Sequence, residues 1–315
     1  MLLLPFFSEL ASSRRVLIAG AGGGFDFLCG LPLFLALRAE KKEVFFANLS
    51  FSRLSPTDDE WVTDVLARVG PDSRAETSYF PEKYLAQWFA ARGEQVPVYT
   101  LLKTGVVPAR ESYTELARQL DLDTIVLVDG GTDSLLRGDE SDLGTPTEDM
   151  VSIAAVDGVP VARKLLVSVG FGIDAFHGVC HAHVLEAVAE LDRAGGYLGA
   201  FSLLRSMPEV PLFGEALAFI HARMPRQPSI VCSSLQAAFE GHFGDHHATE
   251  RTRGSELFIN PLMALCWCFR LDAVARRVLY LDQIRETQTI GEVGQLINTS
   301  RRLVKRLRGP RPLPM

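Results

Sequence analysis

The sequence predicts an α/β protein with a Rossmann-like, doubly wound and mostly parallel sheet that carries helices on both faces. Apolar, β-rich runs alternate with segments of helical periodicity along the chain. Several runs are almost continuously hydrophobic, which is typical of strands covered on both faces. The 315 residues, 47% hydrophobic and 22% charged, show no internal repeat or long low-complexity linker. We therefore expect one α/β domain over 1–315, with an N-terminal helix in 1–12 and a basic helix and tail in 285–315.

The elements follow from this periodicity in chain order. Strands are predicted at 15–19, 43–49, 96–102, 124–128, 165–169, 196–202 and 229–233. Helices are predicted between most of them, at 31–39, 61–69, 84–91, 113–120, 181–193 and 212–223. The hydrophobic stretch 263–281 is expected to be a helix in the core or at an interface between two copies, which leaves a homo-oligomer open. No apolar run reaches the roughly 18 uncharged residues of a membrane span, so no membrane partner is expected.

Charge and cysteine content narrow the class of protein. A formal net charge of −6 gives no basic field for nucleic acid. The C-terminus is locally basic, either as a solvated helix face or as a docking site for an acidic partner. The five cysteines have no pairing pattern and indicate free thiols in a reducing cytoplasm, so a cytoplasmic location is expected. The basic residues in question are Arg301, Arg302, Lys305, Arg306, Arg308 and Arg311.

Small polar residues and acids follow most of the predicted strands. Because the carboxyl ends of parallel strands share one edge, these loops are expected to form one rim where a small-molecule ligand binds. Loops are generally rich in such residues, but here two of them repeat a glycine-rich segment followed by an aspartate. The predicted ligand-binding residues are Gly22, Gly23, Gly24, Asp26, Asn48, Ser50, Gly130, Gly131, Thr132 and Asp174, and the predicted catalytic residues are Asp129, Asp133 and His177.

The first of these loops, GAGGGFD at 20–26, lets a ligand approach the backbone closely. As a dinucleotide fingerprint it is incomplete, because its third glycine position is Phe25 and Asn48 replaces the acid expected for a ribose hydroxyl. No Gly-Lys-Ser/Thr follows it, so it is not a P-loop. Asp26 would repel a bound anion. A sugar or nucleoside hydroxyl, or a divalent cation such as Mg²⁺, is therefore the more economical partner for Asp26.

A second acidic loop, DGGTDSLLRGDESDLGTPTED, spans 129–149. Its carboxylates can hold Mg²⁺ or Ca²⁺ or bind polyol hydroxyls, and crowded carboxylates raise one another's pKa. The alternative is a solvated loop with helix-capping acids. We assign Asp129 and Asp133 to the site, and Asp142, Glu148 and Asp149 to loop or cap roles, while the identity of any metal stays open.

The histidines and serines form no recognisable metal-binding or nucleophile motif. The pairs His177/His181 and His242/His246 have helical spacing but no HExxH context, so zinc is less favoured than a single general acid at His177. Neither Ser233 nor any other serine lies in a nucleophile elbow.

Four segments together resemble one family. VLIAGAGGGFDFLCGLPLFLAL, ANLSFS, DGGTDSLLRGDE with LGTPTED, and VGFGIDAFHGVCHAHVLE are similar to an uncharacterised bacterial and archaeal family known only as a domain of unknown function. The resemblance covers nearly the whole chain and implies a soluble, cytoplasmic, single-domain α/β protein. It supports treating the four loops as one unit and carries over no catalytic residue.

The residues favour a hydrolase or group transferase that acts on a polar nucleoside, nucleotide or sugar-like metabolite. In this hypothesis Gly22–Gly24 bind an anion or hydroxyl, Asp26 and Asp129 orient substrate or cation, Asp133 is the general base and His177 the general acid. Two alternatives stay open: an oxidoreductase with an atypically bound NAD(P), and a non-catalytic ligand sensor whose basic C-terminal helix contacts a partner.

Overall fold

The computed structural model describes residues 3–54, 60–76, 78–254 and 257–313. Within these ranges the strands are β1 (Arg15–Gly20), β2 (Glu43–Leu49), β3 (Glu60–Thr63), β4 (Leu66–Val69), β5 (Val98–Leu101), β6 (Thr124–Asp129), β7 (Arg163–Ser168), β8 (Tyr197–Ser202), β9 (Gly244–Asp245), β10 (Phe258–Ile259) and β11 (Leu265–Arg270). The α-helices are α1 (Pro5–Ala11), α2 (Asp26–Cys29), α3 (Leu31–Ala39), α4 (Pro81–Ala90), α5 (Val106–Gln119), α6 (Pro146–Asp157), α7 (His181–Arg193), α8 (Glu209–Arg223), α9 (Ile230–Phe239), α10 (Leu271–Arg277), α11 (Leu281–Ile284) and α12 (Ile290–Leu303).

The main sheet has the order β3-β4-β5-β2-β1-β6-β7-β11-β8. Its five central strands, from β5 to β7, are parallel to one another. A hairpin of β3 and β4 adds to one side, where β4 is antiparallel to β5. On the other side β11 runs antiparallel to both β7 and β8. The prediction of a mostly parallel sheet is therefore confirmed.

Helices cover both faces because alternate residues of the central strands point to opposite sides. On β1, Leu17 belongs to the hydrophobic core packed by α5, α6 and α10. Its neighbour Ile18 belongs to the core packed by α1, α3 and α8. Both side chains are fully buried. This arrangement is the doubly wound class that the hydrophobic runs predict.

The strand order locates the place where a ligand can bind. Among the parallel strands, the chain proceeds outward from β1 through β2 to β5 and then crosses back to β6 on the other side of β1. The loops after β1 and β6 consequently diverge, and this reversal of strand order leaves a crevice at the carboxyl edge of the sheet. The glycine-rich loop follows β1, and Asp129 ends β6.

Three predicted elements are wrong. Residues 61–69 form the β3–β4 hairpin instead of a helix, with Glu60 opposite Arg68. Residues 229–233 begin α9, because the Oγ of Ser229 accepts a hydrogen bond from the amide of Cys232, 3.1 Å away, and caps the helix. The apolar stretch 263–281 contains β11 and α10. A short apolar run does not distinguish a buried strand from a buried helix, and β11 is buried between two strands.

The basic C-terminus folds back onto the acidic loop of the same chain. Arg301 donates hydrogen bonds to the carbonyl oxygens of Glu140 and Ser141, at 3.0 and 2.7 Å. Arg308 pairs with Asp139 and Glu140, at 2.7 and 2.8 Å. Part of the basic charge therefore neutralises acids within the chain. None of the helices among the described residues is long and apolar enough to cross a membrane.

Candidate functional site

A cavity of ≈ 380 Å³ opens at the crevice between β1 and β6. The loops after β1, β6 and β7 all line it, through Gly22–Asp26, Asp129–Gly130 with Asp133, and Asp174 with His177. The first turns of α6 and α9 complete the wall. The structure thus brings together three loops that are distant in the sequence. The volume of the cavity that they line suits a small metabolite.

The glycine loop is shaped by its contacts within the chain. Gly23 has a φ of +83°, and a Cβ there would lie 2.7 Å from the carbonyl oxygen of Leu49. The amide of Gly24 donates to that same oxygen at 3.0 Å. The amide of Gly22 donates to Oδ2 of Asp26 at 2.8 Å. The loop therefore turns tightly over the end of β2 and places the Asp26 carboxylate in the cavity.

Asp129, at the end of β6, is held by two serine hydroxyls. It is buried, and its Oδ2 accepts a hydrogen bond from the hydroxyl of Ser134 and another from Ser168 at 3.4 Å. Ser134 lies in the short turn after the GGT segment, and Ser168 ends β7. These hydroxyls hold one carboxylate oxygen.

Asp133 and Asp174 brace the neighbouring loops. Oδ2 of Asp133 accepts the amide of Thr145 at 2.8 Å and its hydroxyl at 3.2 Å. Oδ2 of Asp174 accepts the amide of Thr132 at 2.6 Å. Asp133 therefore ties the two ends of the loop 129–149 together, whereas Asp174 joins the loop after β7 to the loop after β6, and both carboxylates line the cavity.

Asp149 differs from these four carboxylates. It lies in the first turn of α6, is 1% exposed, and lines the cavity. Neither of its oxygens has a hydrogen-bond donor among the described residues. Oxygens of Asp26, Asp129 and Asp149 all lie within 4.8 Å of one another. A buried carboxylate without donors is costly unless it binds a cation or a proton, so this trio fits a divalent metal ion.

The pKa values of the aspartates that line the cavity also favour a bound cation. Burial, and then the charge of Asp133, raise the pKa of Asp26 to about 7. Burial followed by the charge of Asp133 also raises the pKa values of Asp129, Asp149 and Asp174 well above their ordinary range. The pKa of Asp133 is raised by burial and is lowered in part by its bonds to Thr145 and by His177 nearby. The five acids therefore repel one another and would each be stabilised by a cation.

Cationic and aromatic groups stand at the mouth of the cavity. The Nζ of Lys103 lies 2.9 Å from Oε1 of Glu148 and 4.0 Å from the ring centroid of Phe51. Arg251 lines the mouth and donates to the carbonyl oxygen of Pro228 at 3.0 Å. His177 is exposed at the same mouth. The floor of the cavity is thus acidic, whereas its rim carries an ion pair, Lys103 with Glu148, and one further cation, Arg251.

Some of the predicted ligand-binding residues lie behind the cavity wall. Asn48 is fully buried and donates to the carbonyl oxygen of Gly24 and to Glu82, at 2.8 and 2.7 Å. Ser50 is buried beside it and bonds to Glu82. Gly131 and Thr132 contact Asp174. None of these four is among the residues that line the cavity, so they support the loops.

Sequence reasoning missed several residues that line the cavity. The sequence pattern indicates cap or loop roles for Asp149 and Glu148, but both line the cavity, and the side chain of Thr145 before them makes no cap hydrogen bond. Lys103, Tyr79 and Arg251 gave no signal, because each lies in an unremarkable loop and reaches the site only through the fold.

The chain belongs to the family described as "Protein of unknown function (DUF1152)", whose model matches residues 17–303. This match confirms the resemblance carried by the four motifs. No curated protein matches the chain. Among solved structures, the chain is similar to SsfS6, a glycosyltransferase of Streptomyces sp. SF2575, with a TM-score of 0.24 and 13% sequence identity. That alignment covers 64% of this chain and 46% of the other, so it spans less than half the length of the glycosyltransferase.

Proposed function

We propose that this protein is a hydrolase or group transferase that acts on a small, oxygen-rich metabolite in the cavity between β1 and β6, with a divalent cation held by Asp26, Asp129 and Asp149. The observation that carries the proposal is the Asp149 carboxylate, which is buried, unpaired among the described residues and within 4.8 Å of two other carboxylates.

The chemistry of the three ligands selects the cation. All are carboxylates, and no histidine or cysteine belongs to the trio, so a hard cation such as Mg²⁺, Mn²⁺ or Ca²⁺ fits better than zinc. Such an ion polarises an oxygen of the substrate and compensates the repulsion between the acids.

Two further side chains have suitable positions for proton transfer. Asp133 keeps one carboxylate oxygen outside its bonds with Thr145, and its pKa is raised by burial. We assign to it the removal of a proton from the attacking water or hydroxyl. His177 stands at the mouth near Asp133, where it can protonate the oxygen that leaves. These two roles are those of a hydrolytic or transfer reaction.

The oxidoreductase alternative has less support from the cavity. In a dinucleotide site the residue at the end of the second strand binds a ribose hydroxyl. Here that residue is Asn48, which is fully buried and donates to Gly24 and Glu82. The amides of Gly22 and Gly24 also donate to acceptors in the chain instead of facing a pyrophosphate.

Calorimetric titration of the metal-free protein with Mg²⁺ and Mn²⁺ tests the proposal. We expect one site, and Asp149→Asn should weaken the affinity by at least about 100-fold, because loss of a ligand should exceed the 10–100-fold effect of losing an outer-shell partner. The control is Asp282→Asn, whose side chain is 94% exposed and lies outside the cavity.

A screen of nucleotides, nucleosides and sugars should then find a ligand whose thermal stabilisation requires the cation, and turnover of that ligand should be lost in Asp133→Asn. Binding of a ligand without any turnover would favour the sensor instead. Absence of Mg²⁺, Mn²⁺ and Ca²⁺ binding by the unmodified protein would reject the proposal.

A further inference from the structure

The cavity separates charges of opposite sign. Its floor holds Asp26, Asp129 and Asp149, while Lys103 and Arg251 stand at its mouth. Lys103 already pairs with Glu148 at the mouth, at 2.9 Å, so a neutral polyol held at the floor through a cation would leave Arg251 as the basic group there without a charged partner among the described residues. This separation of charge therefore indicates that the ligand has an anionic group that a metal site alone would not require.

The two basic groups come from unrelated segments. Lys103 follows β5 at the carboxyl edge of the sheet, and its side chain is 44% exposed. Its ammonium gives one of its three N–H donors to Glu148 at 2.9 Å, so the other two can face a ligand. Arg251 lies in the short turn Glu250–Thr252, far along the chain, and is exposed. Among the described residues no carboxylate forms an ion pair with Arg251, and its guanidinium donates to the carbonyl oxygen of Pro228. Its guanidinium thus retains donors for a ligand.

The first turn of α9 adds positive potential to the same mouth. Ser229, Ile230 and Val231 line the cavity at the start of this ten-residue helix. The side chain of Ser229 is occupied by the amide of Cys232, whereas the first amides of a helix have no acceptor within it. The partial positive charge of a helix N-terminus favours an anion.

We infer that the substrate carries a phosphoryl group whose oxygens lie between the cation on Asp26, Asp129 and Asp149 and the side chains of Lys103 and Arg251. This inference rests on the function proposed above. Mg²⁺ in proteins is commonly held by one or two carboxylates together with substrate phosphate oxygens. Arginine and lysine supply the remaining donors to the phosphate. A cavity of ≈ 380 Å³ suits a sugar phosphate or a mononucleotide.

The test compares probes that differ only in the phosphate. With saturating Mg²⁺, calorimetry measures the binding of inorganic phosphate, AMP against adenosine, and ribose 5-phosphate against ribose. We expect the phosphorylated member of each pair to bind at least about 10-fold more tightly, since hydrogen bonds to charged groups contribute more than neutral ones. Preference for AMP over ribose 5-phosphate, or the reverse, identifies which source of phosphate the site selects.

Lys103→Gln and Arg251→Gln should each weaken binding of the phosphorylated probe about 10-fold or more while leaving the affinity for Mn²⁺ alone unchanged within about twofold. Arg253→Gln is the matched control, because this arginine is in the same segment, does not line the cavity and pairs with Glu250.

The outcomes separate the two proposals. If the cation binds but phosphorylated and unphosphorylated probes bind equally or not at all, the phosphoryl inference is overturned and the proposed metal site stands. The same holds if both variants retain the affinity for the phosphorylated probe. If the protein binds no cation, the proposed function fails and the inference fails with it.

Discussion

Asp149 and Gly22 lie so close together at the cavity floor that no side chain would fit between them. A Cβ built on Gly22 would be 2.8 Å from Oδ1 of Asp149 and 2.7 Å from Oδ2 of Asp26. The missing side chain leaves room for two carboxylates from different segments to converge. Position 22 is therefore a glycine at least in part because the carboxylates of Asp26 and Asp149 occupy the space that a side chain would need.

Gly22→Ala should therefore weaken divalent cation binding while the protein stays folded. The backbone of Gly22 is not in the left-handed region, and the atoms that its methyl would meet are the ends of two side chains, which can move aside. Moving them separates the ligands. We expect the affinity for Mn²⁺ to fall by at least about 10-fold, as when the support of a metal ligand is lost.

Gly294→Ala is the control for this prediction. Gly294 lies within α12, and the nearest atom to a Cβ there is 3.8 Å away. This change should leave Mn²⁺ affinity unaltered and stabilise the helix by roughly 0.5–1 kcal/mol. Equal Mn²⁺ affinity in Gly22→Ala and the unmodified protein would show that the two carboxylates do not act together.

Gly23→Ala should act on folding instead. Its φ of +83° is unfavourable for any other residue, and its Cβ would meet the backbone oxygen of Leu49 at 2.7 Å. Backbone atoms cannot move aside as side-chain ends can. We expect a loss of about 1–2 kcal/mol in the free energy of unfolding from the left-handed conformation alone. Urea denaturation measures it, and an unchanged midpoint would contradict the conformation of this loop.

The sequence predicts the general architecture well because the relevant signals are local. Continuous apolar runs identify β2 and β6, and the glycine loop after β1 marks the carboxyl edge of the sheet. Asp26 ends the glycine loop that follows β1, and Asp129 ends β6, so their convergence follows from parallel topology.

The remaining site residues depend on tertiary structure. Asp149 follows a pattern that is typical of a helix start, and an acid in the first turn of a helix is expected for the helix dipole alone. The ligand role that we propose for it follows only from the fold, which places the loop after β1 beside it. Arg251 reaches the cavity from a short turn remote from the sheet. No periodicity or spacing in the sequence encodes either relationship.

Arg308→Ala should destabilise the protein and release the C-terminal segment. Arg308 pairs with Asp139, with Glu186, and with Glu140, which is 1% exposed. Removing the partner of a buried carboxylate costs about 3–5 kcal/mol. Because the arginine is itself 20% exposed, we expect the low end of that range, measured by urea denaturation.

Arg302→Ala serves as the comparison, since Arg302 is an exposed residue of α12. Its free energy of unfolding should change by no more than about 0.5 kcal/mol. Faster proteolysis of the C-terminus in Arg308→Ala alone would support the intramolecular role of the basic segment. Equal stability of the two variants would instead leave the basic residues available for an acidic partner.

The stability of the metal-free protein should fall as the pH rises from about 4 to above 7. The pKa of Asp26 is raised from 3.8 to about 7 in the folded protein, and burial also raises the pKa values of Asp129 and Asp149 well above their ordinary range. A carboxyl with a raised pKa binds its proton more tightly when folded. Its contribution to stability is therefore complete below the unfolded pKa and is lost as the pH passes the folded pKa.

Melting curves in EDTA between pH 5 and pH 8 measure this loss of stability. The same series with Mg²⁺ measures how much the cation raises the Tm at each pH. The cation competes with protons for the carboxylates, so the increase in Tm on adding Mg²⁺ should be larger at pH 8 than at pH 5. Asp149→Asn should reduce both effects, because it removes one titrating group and one ligand, whereas Asp282→Asn should preserve them. If the increase in Tm caused by Mg²⁺ is independent of pH, or persists in Asp149→Asn, then Mg²⁺ binds elsewhere. The buried carboxyls would in that case be stabilised by protonation and not by a cation.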